Sequence, residues 1–462
     1  MSWVKSRSPL EEPCAGGWEL VYALQVSWRN RLEQYFEFAE LGTNWQTEIL
    51  GGVTTFVTMA YIIFVNPAIL AEAGMPAAAV TAATCLSAAL GCLLIGIWAK
   101  YPIAQAPGMG LNAYFTYAVC LGMGVPWQTA LGAVFLSGIA FLLLTACGLR
   151  KLIIEAIPQA LYAAVATGIG LFLAFIGLRN AGIVASSPAT AVTLGDLRAP
   201  GTVLALFGLL LMAALLARNV KAAILAGIAV TTVAGAAAGL IEWKPAPYSV
   251  EAITGTFGQL DIAGALRLGL LEIVFVFLFV DLFDNIGTLV AVGKRAGLVD
   301  REGRIPRLNR ILTADAVATT AGAVAGTSTV VNYVESAAGV AAGGRSGVTA
   351  IVTGLLFLGA LFVAPALGVI PAAATAPALI IVGALMLGHA GEIRWDEPLE
   401  AVPAFLTLIT IPLTFSIANG IAFGFISWTL LQVSAGRWRQ VHPLVYVLTV
   451  LLIARFAYLG GE

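Results

Sequence analysis

Four residues in very apolar surroundings are of types that could do chemistry. In the run LEIVFVFLFVDLFDNIGTLV, Asp281 and Asp284 stand three residues apart, which places them on one face of a helix. Asn112 follows the Pro- and Gly-broken stretch YPIAQAPGMGLNAYF, and Glu335 follows GTSTVVNYV. A charge at the centre of a membrane helix costs about 2.5 to 3.5 kcal/mol on insertion scales, so each needs a use. Three carboxylates and an amide with no Lys or Arg beside them make a poor trap for an anion. They suit a neutral ligand rich in N–H donors, because a carboxylate accepts two neighbouring N–H groups and an amide both donates and accepts. The flanking Tyr114, Phe115, Phe283 and Tyr333 could stack on a flat ring, so a planar heterocycle fits the inventory. Each residue also has a plainer reading: Asn112 as a helix cap, Asp281 and Glu335 as helix–helix hydrogen-bond partners, Asp284 as structural support, the aromatics as packing. Glu272, nine residues before Asp281 and about half a revolution round the helix, faces elsewhere and is left out of the site.

The same acids could carry coupling. A carboxylate in a low-dielectric setting can take up a proton on one side and release it on the other, and Asp281 or Glu335 is the expected carrier. Sodium held by carboxylate and unwound carbonyls is the alternative. No nucleophile–base pair, HExxH motif or metal cluster stands in the sequence, which argues against an enzyme, and a channel would carry a more continuous polar stripe. His389 and His442 are far apart, so a histidine metal site is not expected. Cys14, Cys85, Cys92, Cys120 and Cys147 form no CxxC pair, and the last four read as small buried packing residues within apolar helices.

The elements that must position these residues are membrane helices. The chain has 462 residues, of which 60% are hydrophobic and 11% charged, with a mean hydropathy of +0.93; soluble domains carry roughly 25% charged residues. The net charge of −1 and scattered basic residues exclude nucleic acid as a natural partner and leave lipid as the solvent. Apolar runs punctuated by Gly, Pro and charge predict spans near 48–70, 77–98, 107–123, 127–147, 155–178, 201–217 and 221–241, then near 266–290, 309–326, 328–343, 346–366, 370–388, 401–416 and 419–435. Seven spans per half, an odd number, makes the second half enter from the opposite side, the geometry of an inverted repeat.

Lys and Arg gather in loops that are cytoplasmic if the N-terminus is inside, among them Lys100, Arg150, Lys151, Arg218, Lys221, Arg301, Arg304, Arg345, Arg394 and Arg437, while the other face holds chiefly Arg179, Arg198 and Lys244. Both termini are therefore expected in the cytoplasm, with the leftover apolar segment 443–459 interfacial or partly inserted. Residues 1–47 lack the regions of a signal peptide and are expected to stay inside.

Spans 3 and 10 are irregular in corresponding places. Pro102, Pro107, Gly108 and Gly110 deny span 3 a regular first half, and the Thr, Ser and Val run at 327–331 favours extended backbone at the start of span 10. Irregular backbone at membrane depth survives only where protein or a wet cavity satisfies it, so two paired breaks point to a binding site between the halves.

The stretches RLEQYFEFAELGTNWQTEILGGVTTFVTMAYIIFVNPAIL at 31–70, APGMGLNAYF at 106–115, FVFLFVDLFDNIGTLV at 275–290 and GTSTVVNYVESAAGVAAGGRSG at 326–347 resemble the purine nucleobase permeases of the AzgA-like branch of the nucleobase cation symporter 2 family, which take up adenine, guanine and hypoxanthine. The resemblance covers about residues 31–459; residues 1 to about 28 have no counterpart in it. It implies an all-α polytopic fold of fourteen spans in a 7+7 inverted repeat. Spans 1–4 (48–147) and 8–11 (266–366) would form a core, spans 5–7 (155–241) and 12–14 (370–435) a gate, with 436–462 a basic and apolar tail.

The resemblance also implies import at the plasma membrane by proton symport and an elevator-like motion, with no cofactor or metal and with a homodimer open. By motif, Asn112, Asp281 and Glu335 resemble purine-contacting residues, and Gly110 and Asp284 resemble positions needed for activity. In DLFDNIGTL, Asn285 stands where the family pattern leads one to expect Thr, and could tune substrate choice. Uracil, xanthine or an anion on the same fold is the rival reading.

Overall fold

The computed structural model describes residues 28–148, 156–240, 254–267, 271–298, 305–363 and 370–459. Cys14, Arg150, Lys151, Lys244, Arg301 and Arg304 lie outside them. Among the described residues seven helices are long and apolar enough to cross a bilayer: Trp45–Ala71, Ala77–Ala99, Trp127–Ala146, Gln159–Asn180, Pro200–Ala217, Ala372–Glu392 and Ile417–Ser434. These are spans 1, 2, 4, 5, 6, 12 and 14. Spans 7 (Ala223–Ala237), 11 (Gly347–Val363) and 13 (Pro398–Thr414) are shorter, and spans 8 (Leu271–Ala296) and 9 (Leu308–Ala325) carry charges. Spans 3 and 10 are each a three-residue strand followed by a short helix.

Local chemistry sets the ends. Asn44 caps span 1, its side chain accepting from the Thr47 amide; Pro200 opens span 6, where its missing N–H costs nothing; Ser416 caps span 14. Span 1 breaks at Ala60 and Tyr61 before resuming as Ile62–Ala71, which contains Pro67.

The two halves pack as the repeat requires. Span 11 lies against spans 1 and 2, and span 4 against spans 8 and 9, forming the core; span 5 packs on spans 12 and 13, and span 6 on spans 7 and 12, forming the gate. Spans 5 and 12 meet at a pair of glycines so close that a Cβ on Gly383 would stand 2.3 Å from the Gly170 carbonyl oxygen. Small residues at such crossings let backbones approach where lipid offers no hydrophobic drive.

Two clusters fasten the core at one end. Glu48, fully buried in the first turn of span 1, accepts the amides of Arg345 (2.9 Å), Ser346 (3.1 Å) and Thr349 (3.3 Å), and so caps span 11 across the repeat. Beyond the spans, Arg307 donates to both Glu37 oxygens at 2.6 Å and Lys100 adds a bond at 3.3 Å. Glu37, Lys100 and Arg307 all have φ near +60° (59°, 57° and 61°), a conformation costing about 1 kcal/mol or more for a residue with a Cβ.

The hydrogen bond from Arg307, followed by that from Lys100, holds the Glu37 carboxyl below the usual carboxylate range despite an opposing burial effect. Its stabilisation is thus full above the ordinary carboxylate value and lost as pH falls through the lowered one. Purified protein is expected to lose thermal stability between about pH 5 and pH 3, and Glu37→Gln to lose less over that interval. Parallel melting curves for the two proteins would refute the linkage.

Two features depart from the sequence reading, and the C-terminal segment acquires a definite form. A hairpin, strand β2 (Val184–Ser187) paired with strand β3 (Ala191–Leu194), follows span 5, where the apolar pattern predicts no element. Cys147 is exposed, while Cys92 is more than packing, accepting from the Gln105 amide at 3.2 Å and donating to its carbonyl at 3.3 Å. Segment 443–459 forms one helix, Pro443–Leu459, laid along span 14.

Candidate functional site

The site is built from the two breaks. Strand β1 (Gln105–Pro107) pairs antiparallel with β4 (Val330–Asn332), with Gln105 opposite Asn332, Ala106 opposite Val331 and Pro107 opposite Val330. The pairing continues through the Gly108 amide to the Thr329 carbonyl at 2.9 Å and the Tyr333 amide to the Ala104 carbonyl at 3.0 Å. Each broken segment thereby supplies the backbone partners that lipid denies the other. The half-helix of span 3 starts at Met109 and widens to a π-type winding from Tyr114 to Gly122; that of span 10 runs Ser336–Ala341.

Glu335, Asn112, Asp284 and Gly110 lie at this crossing, whereas Asp281 lies behind it. Glu335 sits at the cap position of the span 10 half-helix, half-buried, and accepts the Tyr61 hydroxyl from the break in span 1. Asn112 is inside its half-helix, where Gly108 takes the cap position, so the capping reading fails. Its Oδ1 accepts the Ser328 hydroxyl, and its Nδ2, fully buried, has no acceptor among the described residues. Asp284 is also half-buried; a Cβ on Gly108 would stand 3.6 Å from its Oδ2, and Glu335 and His389 are within electrostatic reach of it. Gly110 lies close against the gate, a Cβ there falling 2.4 Å from Ile169 Cγ2 on span 5.

Asp281, although on the same helix face as Asp284, is fully buried in a polar network behind the strands. Asn285 Nδ2 donates to Asp281 Oδ1 at 2.8 Å and to Asp315 Oδ2 at 2.9 Å, while Asn285 Oδ1 accepts the backbone and side-chain N–H groups of Asn332 at 2.9 and 2.6 Å. Gln105 Nε2 closes the ring to Asp315 Oδ1 at 3.2 Å and Asn332 Oδ1 at 3.1 Å. Asn285 is therefore a hub that joins span 8 to span 9 and to β4. A threonine there, with one hydroxyl hydrogen, could not serve both carboxylates and accept two donors as an amide does.

The aromatic residues each make contacts within the protein. Tyr114 meets Phe277 edge-to-face and Phe115 lies tilted to the same ring, Phe283 packs on Tyr162 of the gate at a centroid distance of 4.5 Å, and the Tyr333 hydroxyl donates to the Pro107 carbonyl at 2.6 Å. Sequence reasoning missed Tyr61, Gln105, Asp315 and Ser328. Asp315 had a signal, being the one acid in span 9.

Residues 46–423 match the Permease family. The chain belongs to that family, the nucleobase cation symporter 2 permeases. Members of the family are transporters, so this permease is not an enzyme. It is 42% identical to the adenine permease AdeP of Escherichia coli K12, over 96% of this chain and 99% of that one, and 48% identical to the guanine/hypoxanthine permease PbuG of Bacillus subtilis 168, over 93% and 100%. Among solved structures, the transmembrane domain of a cyanobacterial bicarbonate transporter, BicA, aligns with a TM-score of 0.63 at 16% identity, covering 82% of this chain and 97% of that one. The murine anion transporter Solute Carrier 26 family member A9, in its inward-facing state, aligns at 0.60 and 12% identity, over 92% and 76%. The permease shares with them the core-and-gate fold.

Proposed function

We propose that this permease imports purine nucleobases across the plasma membrane by proton symport, the core moving against the gate. The observation that carries the reading is the pairing of two half-buried carboxylates, Glu335 and Asp284, with the donor Nδ2 of Asn112 at the crossed half-helices. Adenine, guanine and hypoxanthine each present a ring N–H beside a ring-nitrogen acceptor along one edge. Carboxylates accept the former, and the Asn112 amide donates to the latter. The curated relatives AdeP and PbuG, named for these bases, support the choice.

Asp281 then serves coupling rather than contact. Its carboxylate and that of Asp315 share one amide nitrogen, and a single proton between them would relieve their repulsion. Taking up that proton loosens the Asn285 hub, which holds β4 and hence the Glu335 half-helix, so protonation and base binding act on one element. The core meets the gate through apolar contacts such as Gly110 on Ile169 and Phe283 on Tyr162, which suit sliding.

Uptake of labelled adenine by cells expressing the permease tests this. Unlabelled purines should compete and uracil should not, and a protonophore should abolish accumulation while removal of sodium leaves it unchanged. Competition by uracil alone would overturn the cargo; sodium dependence would overturn the coupling.

A further inference from the structure

We propose that the helix Pro443–Leu459 is a fifteenth membrane-crossing segment, and that its Arg455 fastens span 14 to the end of span 8 and so positions the helix that carries Asp281 and Asp284. The helix touches span 14 at three heights. The Tyr446 hydroxyl donates to the Trp438 carbonyl at 2.9 Å, just past the C-terminal end of span 14; the Thr449 and Thr429 hydroxyls meet at 2.8 Å along its length; Arg455 Nη2 donates to Asn419 Oδ1 at 3.1 Å in its first turn. A helix lying flat in the interface would meet span 14 at one height only. Its 17 residues rise about 25 Å, close to the hydrocarbon thickness. It is apolar on every side, with Val445, Leu448 and Leu452 buried and Val450, Leu451 and Ile453 exposed outward, as a lipid-facing span requires.

Arg455 is the one charge in this segment, and a membrane charge needs a partner. It finds Glu272 at 2.5 Å in the first turn of span 8, both side chains less than a fifth exposed. The Tyr114 hydroxyl, two residues beyond Asn112, is within electrostatic reach of both charges. Glu272 precedes Asp281 by two and a half turns of one helix, so the ion pair fixes the height and rotation of the face that carries both aspartates. Removing one partner of a buried pair strands the other, which costs more than losing both.

An odd fifteenth crossing puts the two chain ends on opposite faces. Fusions of alkaline phosphatase and of a fluorescent protein, which report opposite sides of a bacterial inner membrane, would be made in turn at each end of the full chain. The two ends are expected to give opposite results, and matching results would overturn the crossing. This arm is independent of the transport reading.

The positioning role rests on that reading and is tested by adenine uptake normalised to membrane protein. Glu272→Gln and Arg455→Gln should each lower the maximal rate at least tenfold with KM changed less than threefold. The exchange Glu272→Arg with Arg455→Glu should recover most of the rate. Single variants at the wild-type rate, or an exchange no better than the singles, would overturn the role; a wild-type protein that carries no adenine would instead count against the proposed cargo.

Discussion

Glu335→Gln is expected to reduce purine uptake at least 100-fold while the protein still reaches the membrane in normal amount. The glutamine keeps the size of the side chain, but one of its two polar atoms becomes a donor. A carboxylate that accepts two N–H groups from a base would lose one bond and face a clash of donors at the other. Hydrogen bonds to a charged group contribute about 1.5 to 3 kcal/mol each, and about 2.7 kcal/mol corresponds to the 100-fold figure. Glu335 also accepts the Tyr61 hydroxyl, so Tyr61→Phe serves as the control: removing that donor leaves the carboxylate in place and should cost less than tenfold. Equal losses in the two variants would mean that Glu335 acts by holding span 1 rather than by binding cargo.

Gly110→Val is expected to stop transport by a different route. A Cβ at this position would meet Ile169 Cγ2 at 2.4 Å, across the boundary between the span 3 half-helix and span 5. Overpacking costs about 1 to 3 kcal/mol, and at a boundary that must slide the penalty recurs along the path, so a loss of 10-fold or more is expected. Ile169→Ala alone should transport normally, and the double variant should recover most of the rate. A Gly110→Val protein that transports like wild type, or a double variant as poor as the single, would remove the steric explanation and return Gly110 to a local role in its helix.

Much of this architecture could be read from residue types. Pro102, Pro107 and Gly108 cannot continue a helix, and the β-branched run after Gly326 favours extension, so the breaks in spans 3 and 10 were legible. Their pairing as β1 and β4 follows because each strand must find partners in the dry interior. What periodicity could not do is choose between neighbours. Asp281 and Asp284 share a helix face, yet the first is buried among Asn285, Asp315 and Asn332 and the second borders the crossing. That difference depends on spans 3, 8, 9 and 10 converging, which no local pattern encodes. The rule that marks Asp281, a charge in an apolar helix, marks Asp315 equally. Asn285 was noticeable as a departure in its motif, but its role as a hub depends on Asn332, 47 positions away. For the C-terminal helix, the distribution of Lys and Arg leads one to expect an interfacial or partly inserted segment, and its hydrogen bonds to Trp438, Thr429 and Asn419 are the basis for proposing a crossing instead.

Reconstitution of the purified permease into liposomes tests the central claim most directly. With an acidic exterior and a neutral lumen, labelled adenine, guanine or hypoxanthine should accumulate above its external concentration. Collapsing the proton gradient should reduce it to equilibration, and Glu335→Gln should take up none. Accumulation of uracil or bicarbonate in place of the purines, or purine entry unaffected by the Glu335→Gln change, would contradict the account.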